Sequence, residues 1–448
     1  LNVASGSTLF ATATFSGAGT LRKTGAGEAR WGVGSATFNL ASGSLIDVQA
    51  GSFIGGSHAN EVWTNNFSDL NVASGAEFNG VEASIRVDAI TGSGTIKSGF
   101  SSGSGPFTFG VDNGTSAFDG VITNNSGGVG YFIKEGTGTI TLNGANSYSG
   151  TTTVSAGVLK LGNALALGTT AFGTTVSSGA VLDLNGQSIG AEAVTLNGTG
   201  ISSGGALINS SGTAVSLSGN ITLASASSIG GSGNATYSGT VNGGFGLTLV
   251  GAGAKTFSGI IGGTTPLASI TQDDATGSVQ FNENVSVGSG GTTFNADVTL
   301  DGLTFTSGGA VTFGNASSDT LTISGPATTV TTTSGNATLN ATTTGNENFW
   351  LGTTLNPIAG GITVNAPVTM ASDKNFSATS TSTTAGISLA TTDSDITATG
   401  TGTIALTAAR DIALASGSSV VTANGNLTVE ANRQMTATSG IFTGIDVN

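Results

Sequence analysis

Carboxylates crowd most closely at Asp273 and Asp274, in SITQDDATG, with Glu283, Asp297 and Asp301 following. Clustered carboxylates beside a base are what a polysaccharide-cleaving enzyme needs, to activate water or to acidify a sugar C–H. On a strand two adjacent side chains point to opposite faces, whereas in a turn both can reach one substrate. The nearest base is Lys255, and neither His nor Arg lies within the segment. Solvated turn carboxylates are the plainer reading, and no catalytic residue is assigned.

His58, in GGSHANEVW, is the only His, and Glu61 and Asp69 are its nearest acids in sequence. A metal or a proton relay wants more partners, so an exposed loop His near Trp63 is expected. Neither a Gly-Gly-x-Gly-x-Asp nonapeptide nor an EF-hand loop occurs, and Gly-x-Gly triplets are too frequent to mark a phosphate cradle. No cofactor or metal residue is assigned. Thr-rich patches at 151–153 and 331–333 raise ice binding, which needs a regular Thr ladder, and the irregular intervals argue against it. Sequons at Asn220 and Asn375 follow from an Asn/Ser/Thr-rich composition.

The elements that carry these residues are short strands. Charged residues make up 8% of the 448 positions, Gly fills 74 of them and apolar residues 37%. Disordered chains are charged and poor in aliphatics, and this one is neither. Gly without a three-residue period, and only 5 Pro, excludes collagen. The reading is all-β with many tight turns. A charge of -14, from 11 basic and 25 acidic side chains, speaks against nucleic acid as a partner and favours solubility. Without Cys, backbone pairing and core burial must hold the fold. The longest apolar runs, such as 164–167, are too short for a transmembrane helix. Leu1 is not Met, no export signal follows it, and GIDVN is no recognisable stop, so a piece of a longer chain is expected.

Internal repeats decide the fold. LRKTGAGEARWG (21–32), FIKEGTGTITLN (132–143) and LTLVGAGAKTFS (247–258) align, each with an apolar pair before Gly-x-Gly and alternating residues after it. An aromatic-polar-Gly step recurs at Phe118, Tyr148, Tyr237 and Phe257. Apolar–small–apolar triplets recur at 298–300, 321–323, 362–364, 387–389, 404–406 and 427–429. Many intervals fall near 17 to 25 residues, one solenoid coil each, with 404–406 and 412–414 as two faces of one coil. One triplet buries too little to repay its ordering, but stacked coils pair each strand in parallel with those above and below. The fold class expected is a right-handed parallel β-helix, a β-solenoid forming a single elongated rod. Residues 55–68, with His58, Trp63 and Phe67, interrupt the rhythm. They are the best candidate for a binding loop, the alternative being an aromatic folded back over one rung.

Residues 118–168, most clearly GTGTITLNGANSYSGTTTVSAGVLKLGNALALG, resemble the passenger-associated transport repeat (autotransporter-associated β-strand repeat) of autotransporter proteins. Ile133, Lys134, Gly136, Gly138, Tyr148, Gly150, Ala156 and Gly157 stand at its positions, and weaker copies lie at 15–32 and 237–261. From about Thr264 the chain is more similar to filamentous-haemagglutinin-type giant adhesin repeats, which divides it into 1–263 and 264–448. The resemblance implies a passenger exported through the outer membrane and displayed, extracellular, on the surface of a Gram-negative cell. It also implies that the chain threads unfolded, and that coil stacking outside draws it forward. The expected function is a non-enzymatic adhesin, a stalk and contact surface for a host or abiotic surface, a glycan or other cells. The alternative is a structural subunit of an extracellular filament or sheath that self-associates end to end through open strand edges. A β-helix polysaccharide lyase or hydrolase is the third reading, and the acid, His and Arg-x-Lys motifs of such hydrolases are missing.

Overall fold

The computed structural model describes residues 1–31, 38–56, 58, 61–100, 104–125, 127–273, 277–433 and 445–447. Among them no α-helix occurs, and a single 3-10 turn spans Ile201–Ser203. Strand pairing is parallel, and each strand meets its equivalent one coil on, so the fold is a β-solenoid. The chain divides into two compact units, Leu1–Asn220 and Ile221–Asn448. The change of composition near Thr264 falls within the second.

Coils of the second unit have three walls. One coil runs through Val298–Asp301, Thr304–Ser307 and Val311–Phe313, and the next through Thr320–Ser324, Thr328–Thr332 and Ala337–Leu339. The triplets read from the sequence are these strands, and Ile404–Ala408 and Ile412–Leu414 do lie on different walls of one coil. In the first unit one wall stacks Thr20–Lys23, Leu45–Val48, Asp69–Val72 and Ile90–Gly92. Another stacks Thr8–Ala11, Glu28–Trp31, Ser52–Ile54, Glu77–Asn79, Thr95–Ser98 and Val121–Asn124.

Most three-residue strands bury their first and third side chains and turn the second outward, as the period of two requires. The inward residues form stacks along the coils. Tyr237, Phe257, Phe281, Phe294 and Phe313 follow one another with ring centroids 5.2 to 5.7 Å apart. Coil length is uneven: Glu77 pairs with Thr95, 18 residues on, and Phe376 with Ile404, 28 on. The surplus is taken up in the corners, so the strands stay in register. The consequence reverses one sequence argument. Despite irregular intervals, Thr248, Thr271, Thr293, Thr312, Thr338 and Thr363 fall on successive outward positions of one wall.

Candidate functional site

Lys134 is buried in the core at the end of the strand Phe132–Lys134, where charge should be costly. Its ammonium donates to the carbonyl oxygens of Glu135 at 2.5 Å, Gly136 at 2.9 Å and Ala156 at 3.2 Å. Two of these acceptors belong to the turn that follows and the third to the coil above. Burial pushes the amine down to about 8, while Asp88 and Glu135 oppose the drop. An ammonium has three donors, and this socket has three oxygens.

The glycines make the socket possible. Gly136 and Gly157 both sit at φ +62, the left-handed region that side chains avoid, in the two turns whose Glu135, Gly136 and Ala156 carbonyls form the socket. Phe132 pairs with Thr152 and Thr139 with Val158, so 132–161 comprises one coil and the first two strands of the next.

GANSYSG then closes that coil. A Cβ on Gly144 would overlap the carbonyl oxygen of Gly120, and one on Gly150 that of Gly130. Asn146 is buried and bridges three coils: its Oδ1 accepts from the Ile122 amide at 2.8 Å, and its Nδ2 donates to Ala166 O at 2.6 Å. Tyr148 packs its ring 4.3 Å from that of Phe132, and its hydroxyl shares a 2.7 Å hydrogen bond with Thr152 Oγ1. Burial raises its phenol well above the usual range. Each distinctive residue thus binds one coil to the next.

Residues 132–161 match the family model described as passenger-associated-transport-repeat. The coil is thus similar to a transport repeat. Neither a curated protein nor a solved structure matches the chain. The transport repeat and the stacked parallel coils together fit an autotransporter passenger domain. Among the described residues no helix is long and apolar enough to cross a membrane.

The socket of the transport repeat recurs. Lys23, fully buried, donates to Thr24 O at 3.0 Å, Gly25 O at 2.7 Å and Ala50 O at 2.8 Å, the equivalents of the three acceptors of Lys134, with the Ala of QAG in place of that of SAG. In the third block Leu249 replaces the Lys, and Lys255, beyond the Gly-x-Gly, reaches back to Gly251 O at 2.9 Å and Gly253 O at 2.7 Å. Burial lowers both amines, Lys255 to about 8. The sequence marked Lys134 as a motif position without a role. The repeated pairing of Lys with a nearby Gly-x-Gly was the signal for that role.

The acids singled out by type are scattered in use. Asp297 Oδ1 accepts from the Thr320 amide at 2.8 Å, and Asp301 Oδ1 from the Ser324 hydroxyl at 3.1 Å, each holding the next coil. Asp273 and Glu283 are exposed, and Asp274 lies outside the described residues. Lys255, read as their nearest base, is committed to its carbonyls.

His58 is exposed, and its amide donates to Glu61 Oε2 at 3.3 Å. Asp69 Oδ1 accepts from the Ala89 amide at 3.1 Å, and burial raises its carboxyl. Residues 57, 59 and 60 of the insert lie outside the described residues; of the remainder Glu61, Trp63, Asn66 and Ser68 are buried, Phe67 is half-buried, and Val62, Thr64 and Asn65 are exposed. Trp63 is fully buried, 4.3 Å from the Phe38 ring, and its indole N–H donates to Gly55 O at 3.0 Å. Asn66 accepts from the Leu40 amide and donates to Arg86 O, the same brace that Asn146 provides. The aromatic folded back over a rung is the reading that fits.

Proposed function

We propose that the chain is a segment of a surface-displayed adhesin of a Gram-negative cell, an autotransporter-type passenger that presents a contact surface and works without catalysis. The observation that carries this reading is the transport repeat at 132–161, whose Lys, Asn, Tyr and Gly all serve to join one coil to the next. Such a coil gains its partners only when its neighbour is in place, so stacking outside the cell draws the chain outward and opposes its return. The chain has no Cys to cross-link it during passage. Its outward Thr columns, akin to giant adhesin repeats in composition, give a wettable surface for a host or abiotic surface, a glycan or another cell.

A non-catalytic role is supported by how the carboxylates are engaged. Asp47 accepts from Arg22, Gln49 and Asn71, and Asp183 from the amide and hydroxyl of Ser210. Beads coated with the purified chain test adhesion directly. They should attach to cells or surfaces that the native organism colonises, and soluble chain should compete. Sedimentable fibres with no attachment would favour the filament subunit instead.

A further inference from the structure

The wall that begins at Thr8–Ala11 carries an outward groove of about 340 Å³ across its middle coils. Its floor comes from two strands two coils apart. Glu28 and Arg30 lie in register, through Ser52 and Ile54, with Glu77 and Asn79. At a strand spacing of about 4.8 Å, Glu28 and Glu77 stand roughly 10 Å apart along the wall. Val81, Glu82 and Phe100 complete the lining from the corners.

Three properties of this lining point to one chemistry. In a chain with 8% charged residues it gathers three carboxylates and a guanidinium, while the Asn79 amide beneath them is buried and bonded to Val81 and Glu77. These planar groups suit the adjacent hydroxyls of a sugar ring. Phe100 is 52% exposed, whereas most aromatic rings of the first unit are stacked in the core. A half-exposed ring beside polar groups offers a platform for the C–H face of a sugar. Finally, the charges do not cancel. Glu28 pairs with Arg30 at 3.1 Å and Glu77 with Lys97 at 2.7 Å, while Glu82 takes part in neither pair. Among the described residues Glu82 makes no ion pair, and a carboxylate beside an exposed ring favours a cation.

We infer that this groove binds a glycan segment carrying an amino sugar, with Phe100 under the ring and Glu82 facing the ammonium. The assignment rests on the reading of the chain as a contact surface. Its test uses soluble protein, so it is independent of whether coated beads adhere.

The probe is a glucosamine tetramer with free amines, titrated calorimetrically into the purified chain, beside its N-acetylated form and an oligogalacturonate. The free-amine tetramer should bind, and Glu82→Gln or Phe100→Ala should each weaken it about tenfold at unchanged melting temperature. Asp393→Asn, an exposed acid in the other unit, controls for bulk attraction to a chain of charge -14 and should leave binding unchanged. No binding, equal binding of the acetylated form, or equal effects of Glu82→Gln and Asp393→Asn would each overturn the assignment.

Discussion

Lys134 is a charge held inside a β-solenoid by three main-chain oxygens, with Asp88 and Glu135 adding attraction from nearby, and that makes it a sensitive residue. Replacing it by Met keeps the bulk but leaves the carbonyls of Glu135, Gly136 and Ala156 without their donor. Lys134→Met should therefore lower stability by about 1–3 kcal/mol at pH 7, read by urea unfolding. The same socket gives a pH signature. The ordinary lysine value is 10.5, and burial brings Lys134 and Lys255 to about 8. Between these values the unfolded chain binds more protons at these lysines, so stability should be flat just below 8 and rise with pH from about 8 to about 10, where the buried phenols of Tyr148 and Tyr237 begin to oppose it. The Met variant should show a smaller rise, and an equal rise would remove Lys134 from the account. Glu192 works in the opposite sense. Its carboxyl is buried and raised, although the Thr174 hydroxyl donates to it at 2.7 Å, so its contribution is present at acid pH and lost as pH rises through the raised value. Glu192→Gln should stabilise the chain at pH 7 and change little near pH 4. At this scale the sequence showed which residues recur but not what they touch. Lys23 and Lys134 stand next to their glycines in the chain, yet their third acceptors, Ala50 and Ala156, come from the following coil.

At the scale of the coil, strands and corners play different parts. Strands carry the period-two pattern, so their positions and inward faces were legible in triplets such as Val298-Thr299-Leu300. Corners absorb length, and their packing was not legible, because Gly over Gly is written in residues 20 or more apart. Gly144 lies over Gly120 so closely that any Cβ would overlap the lower carbonyl, whereas Gly190 has open space around it. Gly144→Ala should cost about 1–3 kcal/mol and Gly190→Ala stay within about 0.5 kcal/mol, measured by thermal unfolding. Equal effects would show that corner contact does not set coil spacing. The Thr column of the second unit teaches the same lesson. Intervals from 19 to 26 residues between Thr248 and Thr363 hid an alignment that strand register alone restores. Trp63 left two readings open for a related reason: a break in the coil rhythm signals an insert, and only packing shows that this one turns its Trp inward.

At the scale of the whole molecule, each unit is a series of nearest-neighbour contacts, so damage should stay local. Hydrogen exchange on Gly144→Ala should quicken in Leu1–Asn220 near the altered coil and leave Ile221–Asn448 at its original rate. Acceleration spread evenly over both units would contradict that picture. Under the proposed function this architecture suits passage through a membrane before folding, because each coil finds its partners on the one beside it. The central claim is that this solenoid is displayed outside a Gram-negative cell. The most direct measurement is protease treatment of intact cells of the native organism, followed by detection of the chain with an antibody raised against it. The account predicts loss of the signal from intact cells while a cytoplasmic marker survives. A chain that resists protease until the cells are lysed, yet is cleaved readily afterwards, would contradict it.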